Sequence, residues 1–179
     1  MLHENRTLTV IVDVQEKLFD AMAGRDELLR GLRILAQGSR ALRVPLLYTE
    51  QLPDKLGPTV EPLRELLPEP ATASKSAFSC WREPAFARAV RAADRPEILL
   101  AGIETHVCIL QTARDLLDRG FAVHVVADAV SSRRTRDRDL ALQAMRDEGA
   151  RITCTEAALL EMLGDAQRPE FKEILALIR

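Results

Sequence analysis

Three residues of the 179-residue chain combine a reactive side chain with a position just after a predicted strand: Asp13, Lys75 and Cys108. A thiol that attacks a carbonyl needs a base for its proton and a cation to favour the developing negative charge. A carboxylate and an ammonium supply both. Each residue also has a plain structural reading: Asp13 as a turn or cap residue, Lys75 as a solvated surface lysine, Cys108 as a small core hydrophobe. Placement separates Cys108 from the other two cysteines. Thr105 is positioned to cap a helix, which sets Cys108 in its first turn, where the helix dipole and unpaired N–H groups favour a thiolate and can hold an oxyanion. Cys80 and Cys154 lack that placement and read as structural.

The elements that must position these residues alternate strand and helix. Thr7–Val12 is a near-continuous apolar run, as expected of a strand covered on both faces. Further strands are predicted over Val44–Thr49, Ala71–Ser74, Glu97–Gly102, Phe121–Ala127 and Ala150–Thr155. Helical spacing covers Glu27–Arg43, Pro84–Ala93, His106–Arg119, Thr135–Glu148, Glu156–Leu163 and Pro169–Ile178. Gly31 and Gly38 fall on one side of the first helix, where missing side chains permit close packing. Five of the nine prolines lie between Pro53 and Pro70, so that stretch is expected to be loop with at most short helices, placed as a lid or an oligomer contact. Repeated β-then-α with buried strands implies a doubly wound, parallel α/β sandwich, here a single domain over 1–179.

Composition removes several alternatives. With 25 Lys+Arg against 27 Asp+Glu the net charge is −2, which leaves no electrostatic footprint for nucleic acid. Three widely spaced cysteines form neither a CxxC motif nor a disulfide scaffold. No GxGxxG follows the first strand and no P-loop occurs. No apolar run approaches the ~18 residues of a membrane span, and Met1–Asp13 lacks the apolar core of a signal peptide. The expected compartment is the reducing cytoplasm, with no membrane partner. The Arg133–Asp139 run alternates in sign and reads as a solvated helix start.

Four segments carry a resemblance: VDVQEKLF (12–19), SKSAFS (74–79), GIETHVCILQTA (102–113) and DAVSSR (128–133). Together, in this order and at βα junctions, they resemble the isochorismatase-like cysteine hydrolases, most closely the branch of small isochorismatase-domain proteins. The similarity reaches the terminal RPEFKEIL. It implies a three-layer α/β/α sandwich of Rossmann-like type, with a six-stranded parallel sheet in the order 3-2-1-4-5-6. In that order the first and fourth strands adjoin, so Asp13 lies beside Cys108, and Lys75 reaches inward from the edge strand. The family's catalytic triad maps onto Asp13, Lys75 and Cys108. A non-proline cis peptide is implied at Ile103–Glu104, turning the Glu104 N–H toward an oxyanion alongside that of Cys108.

Two departures narrow the implied chemistry. Isochorismatases proper cleave a vinyl ether without a cysteine nucleophile, so Cys108 points to hydrolysis of a small amide or related carbonyl compound through a thioester. Nicotinamidases carry an Asp/His metal cluster after the second strand, whereas TEQLPDKLG (49–57) contains no histidine; neither a catalytic metal nor another cofactor is expected. Gln15, Phe19, Gln51, Trp81 and His106 follow the relevant strand ends and are candidates to line the pocket around a small-molecule substrate. The family association implies a homo-oligomer. Two other classes stay open on the sequence: a non-catalytic binding or assembly module, and a redox-responsive protein with a low-pKa Cys108.

Overall fold

Along the first strand, β1 (Thr7–Val12), every residue is buried, and successive side chains enter two different cores. Leu8, Val10 and Val12 pack on one face and Ile11 on the other. The polar member Thr9 is tolerated because its hydroxyl meets that of Ser39, 2.8 Å away. Buried polar groups persist where they find such partners.

The computed structural model describes residues 1–179. After β1 come α1 (Glu16–Phe19), α2 (Arg25–Ala41), β2 (Leu46–Gln51), α3 (Pro53–Leu56), α4 (Glu61–Arg64) and β3 (Ala73–Lys75). A 3₁₀ turn at Cys80–Arg82 leads to α5 (Pro84–Ala93) and β4 (Glu97–Ile103). A π-helical turn, Thr105–Ile109, then runs into α6 (Leu110–Leu117). The chain finishes with β5 (Ala122–Ser131), α7 (Thr135–Asp147), β6 (Arg151–Thr153), α8 (Thr155–Leu163) and α9 (Phe171–Ile178). All strand pairs are parallel, in the order β3-β2-β1-β4-β5-β6. Side chains of α2, α8 and α9 cover one face of the sheet, and those of α5, α6 and α7 the other. The implied three-layer parallel sandwich is therefore the observed one.

The glycines of α2 do what their spacing suggests. A Cβ on Gly31 would lie 2.5 Å from the Asp128 carbonyl oxygen of β5, and one on Gly38 would lie 2.5 Å from Leu159 of α8. Gly31 lets the helix descend onto the sheet and Gly38 lets α8 pack against it, and Leu28, Leu32 and Leu35 are buried, each contributing roughly 1.5–3 kcal/mol.

Several strands differ from expectation. β2 and β3 begin two residues later than predicted; just ahead of the regular β2–β3 pairing the Thr72 N–H donates to the Tyr48 carbonyl and the Tyr48 N–H to the Thr72 hydroxyl at 3.2 Å. β5 continues four residues past Ala127. Its pairing with β4 jumps from Leu100–Val125 to Gly102–Val130, so the intervening residues bulge. Asp128 thus lies within the strand, where its carboxylate accepts the N–H and hydroxyl of Thr155 at 2.8 and 3.0 Å and caps α8.

Gly102, at the irregularity, lies beside β1 with φ +114°, and a Cβ there would fall 2.2 Å from the Val12 carbonyl oxygen. Both the backbone conformation and the contact require glycine. Gly102→Ala is expected to cost about 3 kcal/mol or more. By thermal denaturation that is a drop in Tm of roughly 6–12 °C; an unchanged Tm would contradict the packing.

The proline-rich segment contains only the two four-residue helices α3 and α4. Its first half is tied to the end of β1: Gln15 Nε2 donates to the Gly57 carbonyl at 2.6 Å and Val60 N–H to that of Val14. Glu50 takes the N–H and hydroxyl of Thr59.

Candidate active site

The sheet order brings the three reactive residues together. Asp13 follows β1 with φ 54° and is fully buried. Its N–H donates to the Thr49 carbonyl, and its Oδ1 accepts the Thr49 hydroxyl at 2.8 Å. The other oxygen, Oδ2, is 2.5 Å from Lys75 Nζ, and neither side chain touches solvent. Lys75 reaches in from the edge strand past β2. Its ammonium is ringed by Gln51 Oε1 at 2.5 Å, the carbonyls of Ala77 and Phe78 at 3.1 and 3.2 Å, and Cys108 Sγ at 3.7 Å. A buried charge with this many acceptors is held in one place.

Cys108 sits in the π-helical turn, nearly buried. The peptide before that turn, Ile103–Glu104, is cis. The Glu104 N–H finds no backbone acceptor, while the Glu104 carboxylate is turned aside to the Arg133 N–H at 3.0 Å and its Nε at 3.1 Å. Arg133 is thus tied down, as is Arg138, which donates to the Val130 and Ala127 carbonyls. The basic run is only partly the solvated helix start expected. Thr105 does not cap: its hydroxyl is buried without a partner, and Glu104 occupies the cap position.

The electrostatics also correct an expectation. Burial, and then the Asp13 carboxylate, push the Cys108 thiol up to about 12, and Lys75 offsets only part of this. The resting group is a thiol, not the thiolate that a helix start alone would favour. Burial raises the Asp13 carboxyl as well, against the pull of Lys75, which makes it a stronger base than a surface aspartate. Burial presses the Lys75 ammonium down, but Asp13 and the two nearby thiols carry it above its ordinary value. Alkylation of Cys108 by iodoacetamide should therefore rise about tenfold per pH unit from pH 7 to 9, following thiolate fraction. A plateau near neutral pH would contradict this and favour the low-pKa redox reading.

A cavity of about 240 Å³ opens onto Cys108. Leu18, Leu52, Leu56, Phe78 and Val107 make its wall apolar; Gln51, Lys55 and Glu104 are its polar members. Of the five candidate lining residues, the structure brings only Gln51 here. Gln15 is buried behind it, spending its amide on the Gln51 backbone and the Gly57 carbonyl. Phe19 turns into the α2-side core, and its neighbour Leu18 takes the wall position. Trp81 packs on Phe121 at 5.8 Å, with the guanidinium groups of Arg91 and Arg119 over its ring at 4.9 and 4.8 Å. His106 Nδ1 lies 2.9 Å from Ser132 Oγ, in a separate groove beside α7, and Val107 faces the cavity instead.

Thr49 was not singled out in the sequence, although a threonine ending an apolar strand run is a usable signal. Cys80, read as structural, lies close behind the site. Its Sγ is 3.6 Å from Thr49 Oγ1, and burial pushes its thiol up to about 11. A larger cleft of about 760 Å³, between the end of α2 and residues 65–68, contains none of the reactive side chains.

Comparison with known proteins agrees with this architecture. Residues 7–157 match the isochorismatase domain family. The chain is 40% identical over 177 residues to isochorismatase domain-containing protein 2 of Xenopus laevis, covering 99% of this chain and 85% of that one. Among solved structures, the MAR1 ribonuclease of Caenorhabditis elegans superposes with TM-score 0.92 at 38% identity, over 99% of this chain and 91% of that chain. YcaC of Pseudomonas aeruginosa, solved with hexane-2,5-diol and covalent acrylamide, gives TM-score 0.93 at 27% identity, over 98% and 90%. On sequence match, fold and strand order together, the chain belongs to the isochorismatase domain family of isochorismatase-like hydrolases.

Proposed function

We propose that the protein is a metal-independent cysteine hydrolase that cleaves a small amide through a thioester on Cys108. The observation that carries this reading is the Lys75 ammonium, 2.5 Å from Asp13 Oδ2 and 3.7 Å from the Sγ of Cys108, which itself lines an apolar cavity. In the first half-reaction Asp13 takes the thiol proton as sulfur attacks the amide carbon. Because burial holds the resting thiol protonated, Asp13 takes that proton before or as sulfur attacks. The oxyanion is met by the backbone N–H groups of Glu104 and Cys108. Asp13 then hands its proton to nitrogen, the C–N bond breaks and the amine departs.

In the second half-reaction Asp13 removes a proton from water and the hydroxide adds to the thioester. Collapse expels the Cys108 sulfur, which recovers its proton from Asp13, and the acid is released. Lys75 stays charged throughout and prevents the carboxylate and sulfur from repelling each other. The covalent acrylamide on the Pseudomonas aeruginosa relative supports a nucleophile in this fold.

The ribonuclease name of the Caenorhabditis elegans relative points toward phosphodiesters. Here the cavity wall is apolar and Lys75 is already paired, which favours a carbonyl substrate over a phosphate. An ammonia-release screen over a panel of small amides tests the reading. Turnover that disappears in Cys108→Ala is expected, and turnover retained by that variant would overturn it.

A further inference from the structure

The two oxygens of the Asp13 carboxylate have different partners. Oδ2 faces the Lys75 ammonium at 2.5 Å and is otherwise unpartnered, while Oδ1 takes the Thr49 hydroxyl at 2.8 Å. Thr49 holds the same residue a second time, since its carbonyl accepts the Asp13 N–H at 3.1 Å. That bond helps to fix a backbone with φ 54°, a conformation that residues other than glycine seldom adopt unaided.

The direction of the Thr49 hydroxyl follows from its neighbours. An ionised carboxylate only accepts, so the single hydroxyl hydrogen lies on the Asp13 side. Thr49 Oγ1 is then the acceptor toward Cys80 Sγ, 3.6 Å away, and the thiol is the donor. Burial keeps Cys80 protonated for that part, its thiol pushed up to about 11, and its N–H is anchored on Thr112 Oγ1 at 2.9 Å. Cys80, Thr49 and Asp13 thus form a chain of donors that ends on the carboxylate. Thr49 itself is buried in β2, between Val12 of β1 and Ala73 of β3, and is not on the wall of the cavity.

We infer that Thr49 is a positioning residue for the Cys108 reaction: by occupying Oδ1 it locks the plane of the carboxylate and leaves Oδ2 as the oxygen that receives the thiol proton. This rests on the Cys108 hydrolase reading, in which Asp13 is the base. The titratable groups that face this carboxylate are Lys75 from β3, Cys80 from the 3₁₀ turn and Cys108 from the π-helical turn. Burial keeps both thiols neutral, so the Lys75 ammonium and the Thr49 hydroxyl are the groups that hold Asp13 ionised against its own burial. Without the hydroxyl, Oδ1 is a buried acceptor with no partner, and the carboxyl keeps its proton to higher pH.

Two variants test this: Thr49→Val keeps the β-branched shape suited to a strand and removes the hydroxyl, and Thr49→Ser keeps the hydroxyl. NMR titration of the isotopically labelled Asp13 carboxyl, assigned by its loss in Asp13→Asn, needs no substrate. Its midpoint is expected to rise by about one to two pH units in Thr49→Val and to stay at the wild-type position in Thr49→Ser. The acid limb of kcat/KM for amide hydrolysis should move by the same amount, a loss of about ten- to a hundredfold at a fixed pH below the limb, with KM unchanged. A packing role alone would lower Tm without moving either midpoint. An unmoved NMR midpoint in Thr49→Val, or a shift in Thr49→Ser as large as that in Thr49→Val, overturns the inference and leaves the Cys108 reading standing. A moved NMR midpoint beside an unmoved acid limb, or failure of every amide in the panel to acylate Cys108, overturns both.

Discussion

Cys108→Ala is expected to lower amide hydrolysis by at least about 10³-fold while leaving the fold in place. The loss is large because no other group occupies the position from which Asp13 can be served. Cys80, the nearer alternative thiol, is wholly buried, touches Thr49 rather than Asp13, and is not on the cavity wall. The stability cost is small, about 1 kcal/mol or less, since only one sulfur atom leaves a site that already opens to a cavity. Far-UV circular dichroism and Tm should match the wild type. A variant that loses activity together with its fold would show only that Cys108 packs.

The second large effect falls on stability. Lys75→Met replaces the ammonium with an apolar side chain of similar length and leaves Asp13 buried without its counter-charge. Breaking a buried pair in this way costs about 3–5 kcal/mol, or roughly 6–20 °C in Tm for a chain of this size. The pH dependence identifies the cause. Burial already raises the Asp13 carboxyl, and the variant removes the group that opposes this rise. With a folded pKa above the unfolded value of ~3.9, the folded state binds the proton more tightly. Stability of the variant should therefore be greatest below about pH 4 and decline as pH rises through the folded value. Adding Asp13→Asn should recover part of the loss at neutral pH. A Lys75→Met protein with wild-type Tm and no such pH slope would mean that the pair is not buried as the structure has it.

Reading the sequence locates the reactive residues better than the surface around them. Asp13, Lys75 and Cys108 each follow a strand, and a parallel sheet gathers its strand ends at one edge, so their convergence needs only the strand order. The packing of α2 is legible for a similar reason, since Gly31 and Gly38 are seven residues apart on one regular helix. The lining residues are not legible in this way, and two assignments miss by a single position: Leu18 lines the cavity instead of Phe19, and Val107 instead of His106. Both lie in elements where the 3.6-residue period gives no guidance, a four-residue helix and a π-helical turn. Gln15 and Trp81 fail for another reason. Their side chains answer to partners distant in sequence, the Gly57 carbonyl for one and Arg119 and Phe121 for the other, which nothing local announces. The state of the thiol was also hidden, because a helix start predicts a lowered pKa until burial and the Asp13 carboxylate are weighed against it.

Intact-mass spectrometry of the protein, quenched in acid during turnover of a small amide, addresses the thioester on Cys108 most directly. A species heavier than the free protein by the substrate mass less ammonia is expected, carried by the peptide containing Cys108 and absent from Cys108→Ala. Sustained hydrolysis without that species, or the same adduct on the Cys108→Ala protein, would contradict the mechanism.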